Sequence, residues 1–155
     1  MSRQVRKAAL ALSILSLAVL AADSPFTGTW KLDAGRSKLG DSGIGSNATV
    51  QYEITGKMLK VTVQATDAQG QPNNFTYEGS LDGKPAKVTG VPGVDEVTLH
   101  QTNAHSIHAT GMKSGKQVWE DRRSVSPDGK TMTLQRTGTN DQGKKYSATL
   151  FFEKQ

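Results

Sequence analysis

The chain has 155 residues, a length for one domain and a leader rather than for two domains. Its 19 Lys and Arg against 14 Asp and Glu give a net charge of +5, but Arg3, Arg6 and Lys7 sit in the first seven residues, and the remainder carries 16 against 14, or +2. Those charges are interspersed in sign, which argues against a basic stripe for nucleic acid. The lack of any cysteine excludes disulfides, thiol chemistry, a lipid-modified cysteine and cysteine-based zinc sites.

In chain order, the basic start is followed by an apolar run, Ala8 to Ala22, broken only by Ser13 and Ser16. At 15 residues it is short for a bilayer span, which needs roughly 20. Small residues close it, and Asp23-Ser24-Pro25 resets the composition. Residues 1–22 are therefore read as a helical secretory signal peptide and residues 23–155 as the folded domain, with a secreted or periplasmic destination and no stable membrane anchor after cleavage. The remaining 133 or so residues are enough to bury roughly two-thirds of their unfolded surface.

The first strand is Gly28 to Leu32, with Trp30 and Leu32 on one face. Asp33 to Ala48 is rich in Gly, Ser and Asp, lacks helical periodicity and reads as a long loop. Then alternation takes over. Val50, Tyr52 and Ile54 share a face, Gly56-Lys57 turns the chain, and Leu59, Val61, Val63 and Ala65 line the returning strand. Phe75, Tyr77 and Leu81 follow a turn at residues 67–72, Asp82-Gly83 is a hairpin signal, and Lys87 to Thr89 is a short strand. Val97 and Leu99 pair with Ile107 and Ala109; further turns at residues 113–116, 126–129 and 140–143 separate the last three strands, where Tyr146, Ala148, Leu150 and Phe152 alternate inward. Turn signals every 8–12 residues and consecutive hairpins predict an all-β fold, a single antiparallel up-and-down β-barrel of about 8–10 strands. Glycines inside the strand patterns, Gly79, Gly111 and Gly138, are either bends that close the barrel or weak points in edge strands.

The opening Phe26-x-Gly28-x-Trp30-Lys31-Leu32, followed by Ser37 and Leu39, resembles the N-terminal motif of the calycin superfamily, which includes lipocalins and fatty-acid-binding proteins. More narrowly, the chain is similar to small exported bacterial lipocalin-like proteins. The resemblance implies that Gly28 lets the first strand bend, that Trp30 closes the base of the barrel, and that a basic residue from a late strand, Arg136 first and Arg122 or Arg123 after it, packs across the Trp30 indole. It also implies a cavity for a small apolar or amphipathic molecule. The helical lid of fatty-acid-binding proteins is not expected from residues 33–48, and their Arg-x-Tyr pair is missing around Tyr146.

Candidate ligand contacts are the inward positions Tyr52, Ile54, Val61, Val63, Phe75, Tyr77, Leu99, Trp119 and Leu134. Each 100 Å² of ligand surface they cover would contribute on the order of 2.5 kcal/mol before ordering costs. In Glu120-Asp121-Arg122-Arg123, surface ion pairing across strands is the simpler reading of the charges. With the Trp119 face inward, however, Arg123 becomes the candidate polar group of the cavity. His100, His105 and His108 fall within nine residues, but no carboxylate or cysteine joins them in that hairpin, and no metal or other cofactor is expected. Neither a nucleophile motif nor a phosphate loop is present, so the chain reads as a binding protein rather than an enzyme. Asn47-Ala48-Thr49 and Asn74-Phe75-Thr76 match a glycosylation pattern. The rival reading is a filled barrel that presents a surface, including the residue 33–47 loop, to a protein partner such as an envelope component.

Overall fold

The computed structural model describes residues 23–155. The expected signal peptide, residues 1–22, lies outside the described residues. Ten strands follow one another: β1 (Gly28–Leu32), β2 (Ile44–Thr55), β3 (Met58–Asp67), β4 (Phe75–Ser80), β5 (Ala86–Lys87), β6 (Glu96–Asn103), β7 (Ser106–Lys113), β8 (Lys116–Val125), β9 (Thr131–Thr139) and β10 (Lys145–Lys154). All belong to one antiparallel sheet in the order β4-β3-β2-β1-β10-β9-β8-β7-β6-β5, so strands adjacent in sequence pair wherever they meet and β1 joins β10. The expected up-and-down barrel is this sheet, curled until its two ends nearly meet.

The break lies between β4 and β5, and the backbone beyond β4 bridges it. Gln101 N–H donates to Leu81 O at 2.9 Å, and Gly83 N–H donates to Leu99 O at 2.8 Å. Gly79 helps here: a Cβ at that position would sit 2.9 Å from Leu99 Cδ1, so the missing side chain lets β4 approach β6. At Gly111 a Cβ would run into the Trp119 indole, and at Gly138 it would strike the Val118 carbonyl and Tyr146. All three glycines therefore mark close approach between neighbouring groups, and at Gly111 the β7–β8 register also shifts.

One expectation is corrected. The stretch from residue 33 to 48 is not all loop, because β2 starts at Ile44. Its first residues, Ile-Gly-Ser-Asn, lack the apolar alternation of Val50 to Ile54, and a register irregularity separates Ile44 from Ala48. Gly45 lies against the Thr66 and Asp67 carbonyls, where no side chain fits. Within the remaining turns, Lys38 bridges to Thr149, tying the segment to β10.

The hairpins alternate between two ends of the barrel. Toward the end where β1 starts and β8 turns into β9, Phe26, Trp30, Leu59 and Met132 are fully buried and Val125 nearly so. Trp30 Nε1–H donates to Phe26 O at 2.9 Å, which fastens the N-terminal segment under the barrel. Gly28 has φ of +131°, a backbone shape that side chains resist, and here the strand opens onto that plug. Toward the opposite end, the inward residues Val63, Ala65, Phe75, Arg136 and Tyr146 are only half-buried. The barrel is thus closed at its base and looser at its other mouth.

Candidate ligand-binding site

Strand alternation places Trp119, Asp121, Arg123 and Val125 of β8 on the inner face. Asp121 has no exposed surface and Arg123 is 3 % exposed, so two ionic groups lie inside an otherwise apolar wall. Surface ion pairing accounts for the outward set only: Arg122 lies 3.6 Å from Glu120, whose carboxylate also lies 3.0 Å from His108 Nε2. For Asp121 and Arg123 that simpler reading fails, because the Trp119 face is the interior.

Charge burial on this scale is tolerable only with dense hydrogen bonding. Arg123 Nη2 donates to Asp121 Oδ2 at 2.8 Å. Arg136, opposite Asp121 in the β8–β9 register, holds the same carboxylate with two contacts, Nε to Oδ1 at 2.6 Å and Nη2 to Oδ2 at 2.8 Å. On its other side Asp121 faces Ala109 of β7, a small residue that leaves room for the guanidinium groups. Arg123 also reaches across the barrel: Nη1 donates to the Tyr52 hydroxyl at 3.1 Å and Nη2 to the Tyr77 hydroxyl at 3.0 Å. Its Nε–H is buried and has no partner among the described residues.

The electrostatics follow from this arrangement. Burial alone would push the Asp121 carboxyl up, but the charge and hydrogen bonds of Arg136, with those of Arg123, hold it below the usual carboxylate range. Burial pushes the Tyr52 hydroxyl up to about 12, against the opposing pull of Arg123. The cluster therefore holds two cations, one anion and the neutral Tyr52 phenol at neutral pH.

Arg136 continues the chain of contacts outward, its guanidinium lying 4.4 Å from the centre of the Trp119 ring. This corrects the base expected from the family resemblance. Lys154, not Arg136, lies over Trp30, with Nζ 5.1 Å from the ring centre and donating to Pro25 O at 3.1 Å. Neither Arg122 nor Arg123 takes that place, since Arg122 points outward and Arg123 lies over Tyr52. The reason is register: Trp30 sits directly opposite Lys154, whereas Arg136 sits opposite Ala148, nearer the other end of β10.

The expected contact residues divide along the barrel axis. Tyr52 and Tyr77 carry the hydroxyls bound to Arg123, and Trp119 carries the stack on Arg136. Phe75 stacks on Tyr77 with ring centres 6.3 Å apart, and with Val63 it lines the half-buried end. Val61, Leu99 and Leu134 belong to the packed wall, and Ile54 lies toward the closed end. Deep inside, Leu59, Val61, Val97, Leu99, Ile107, Ala109 and Met132 are each at most 1 % exposed, so no water-sized void lies against them.

Space occurs near the looser mouth. A cleft of about 350 Å³ is lined by residues that include Trp119, Gly138, Lys145 and Tyr146. A second, of about 420 Å³, lies on the outer face among Glu53, Met58, Lys60 and Glu78. The histidines stay outside the site: His100 and His108 face each other across β6 and β7, and His105 Nδ1 lies 3.1 Å from Val125 O. Asp121, which alternation puts on the same face as Arg123, was not among the expected contact residues. Its signal was an acid two positions before Arg123 on the Trp119 face, with Arg136 one strand away.

No family model matches the sequence, and no curated protein does. Solved structures do. A Schistosoma mansoni fatty acid binding protein in complex with arachidonic acid superposes with a TM-score of 0.58 at 14 % identity, over 85 % of this chain and 97 % of the other. A zebrafish ileal bile acid-binding protein complexed with cholic acid gives 0.56 at 12 % identity, over 85 % and 100 %. At such identities the likeness concerns the fold, and the barrel is calycin-like.

Proposed function

We propose that this protein is an exported binding protein that takes a small amphipathic molecule into the looser end of its barrel. The polar end of the ligand meets Arg123, Tyr52 and Tyr77, and its apolar part runs past Tyr77, Phe75, Val63 and Trp119 toward the mouth. The observation that carries this reading is the buried Nε–H of Arg123, a donor with no acceptor among the described residues. Both structural neighbours named above hold amphipathic acids, which supports the same reading. Export rests on residues 1–22 and would deliver the carrier to the periplasm or the medium. Because Arg123 is 3 % exposed, binding must shift the side chains around it, Tyr77 among them.

Fluorescence titration with 11-(dansylamino)undecanoic acid tests the reading. Saturable binding with one probe per chain, displaced by an unlabelled fatty acid, is the expected result; a linear, non-saturating signal overturns it. The tightly packed inner wall favours a second reading, a filled barrel that serves as an interaction module for another protein of the envelope. That reading gains if the probe fails to bind while native mass spectrometry of protein from its own host shows a bare chain bound to a protein partner.

A further inference from the structure

The interior of the barrel carries a small and countable set of ionisable groups. β2 and β4 contribute the phenols of Tyr52 and Tyr77, β8 contributes Asp121 and Arg123, β9 contributes Arg136, and β10 contributes Tyr146 near the mouth. Lys154 stands apart at the closed base, its ammonium held by the Pro25 carbonyl. Beside this cluster the inward positions Leu59 to Ala65 of β3, Val97 and Leu99 of β6 and Ile107 to Gly111 of β7 carry no charge, and Asp67 at the end of β3 is taken up by the turn, its carboxylate accepting from the Gln69 and Gln71 N–H groups. Arg123, Arg136 and Asp121 therefore sum to a single positive charge around the cluster.

The two arginines are not equivalent. Arg136 spends Nε and Nη2 on the two oxygens of Asp121, while Arg123 gives the same carboxylate one contact and keeps Nε–H free. The Tyr52 and Tyr77 oxygens accept from Arg123, which leaves their own O–H groups able to donate. A head-group oxygen at this place would meet up to three donors and a field set by the balance of the triad.

Resting on the binding reading above, we infer that Asp121 is the specificity-determining residue for the head group: an internal carboxylate that neutralises Arg136 and tunes the barrel to a singly charged acid. Without it, two guanidinium groups, one buried and one half-buried, would face the ligand and favour acids far more strongly. With it, an uncharged relative of the same shape competes within a modest factor. Because Asp121 also holds both arginines in place, the selectivity is set by charge count rather than by the shape of the wall.

The test compares 11-(dansylamino)undecanoic acid with its methyl ester on the wild type, Asp121→Asn, Arg136→Gln and Arg136→Lys, each checked for folding by near-UV circular dichroism. The ratio of ester to acid Kd is expected to fall from Asp121→Asn through wild type to Arg136→Gln by about tenfold or more per unit of charge, and Arg136→Lys is expected to restore the ratio that Arg136→Gln loses. Binding of the acid by Asp121→Asn alone, with none by the wild type, overturns the inference, since Asp121 then blocks the acid instead of tuning the barrel to it. If Asp121→Asn does not fold, the wild type and the two Arg136 variants carry the comparison. Equal ratios across the folded proteins overturn the role of Asp121 and leave the binding reading standing. Failure of every protein to bind either probe overturns both.

Discussion

Asp121 and Arg123 stand two residues apart on β8, point to the same side, and meet at 2.8 Å with almost no exposure to water. Two-residue spacing on a strand normally separates side chains by more than the reach of a short carboxylate, and here the long guanidinium turns back to close the gap. The pair gains its stability from company: Arg136, Tyr52 and Tyr77 each supply a bond that the pair alone would lack.

Removing one member of the cluster strands the charge of the other. Asp121→Ala and Arg123→Ala are each expected to lose about 3–5 kcal/mol of unfolding free energy in urea titrations. The double substitution should lose less than the two losses combined, with a coupling of roughly 1–3 kcal/mol. Simple additivity would show that the contact carries no mutual stabilisation.

Acid should expose the same cluster. The Asp121 carboxyl titrates below its ordinary 3.8 in the folded protein, so its stabilising contribution is present above that value and lost as pH falls through the folded one. The stability gap between wild type and Asp121→Asn is expected to shrink below pH 3.8. A gap that stays constant down to about pH 2 in thermal melts would contradict the assignment.

Base acts through Tyr52. Its hydroxyl ionises at about 12 when folded and at 10.0 in the reference state, so the neutral phenol favours the fold up to pH 10 and that advantage fades between 10 and 12. The shift corresponds to roughly 3 kcal/mol. Absorbance near the tyrosinate maximum should show Tyr52 ionising with unfolding, and Tyr52→Phe should remove that phase.

Gly111 leaves no room for even a single methyl group. Gly111→Ala would drive a Cβ into the Trp119 indole and should cost about 1–3 kcal/mol while altering the near-UV dichroism of that tryptophan. At Gly115 an added methyl would meet no atom within 4 Å, but the residue occupies a turn at φ +76°. Gly115→Ala should therefore lose stability through backbone strain without that spectral change.

The two cation–ring contacts can be told apart by double-mutant cycles. Arg136 with Trp119 and Lys154 with Trp30 should each show coupling of about 0.5–2 kcal/mol. Arg136 with Trp30 should show none, and a coupling there would return Arg136 to the base of the barrel.

The strand plan was legible because inward and outward residues alternate cleanly in β3, β8 and β10, and because turns such as Asp82-Gly83 announce themselves. The start of β2 was hidden because Gly45, Ser46 and Asn47 carry no alternation; what holds them is backbone contact with β3. The inward turn of Arg123 was legible from Trp119 beside it. The same alternation puts Asp121 on that face, but a run of four charges does not show that it is the carboxylate gripped by two arginines. Only register reveals that Arg136 stands across from Asp121 while Lys154 stands across from Trp30, and register depends on where every hairpin turns.

The pairing of β1 with β10 has a kinetic consequence. Nearly every other neighbour in the sheet is joined by a hairpin, so those ladders can zip from short loops, whereas Trp30 must find Lys154 across almost the whole folded chain. The last rung to form should be this one, and the rate at which the polypeptide becomes a tube should be governed by the meeting of its two ends rather than by any hairpin between them.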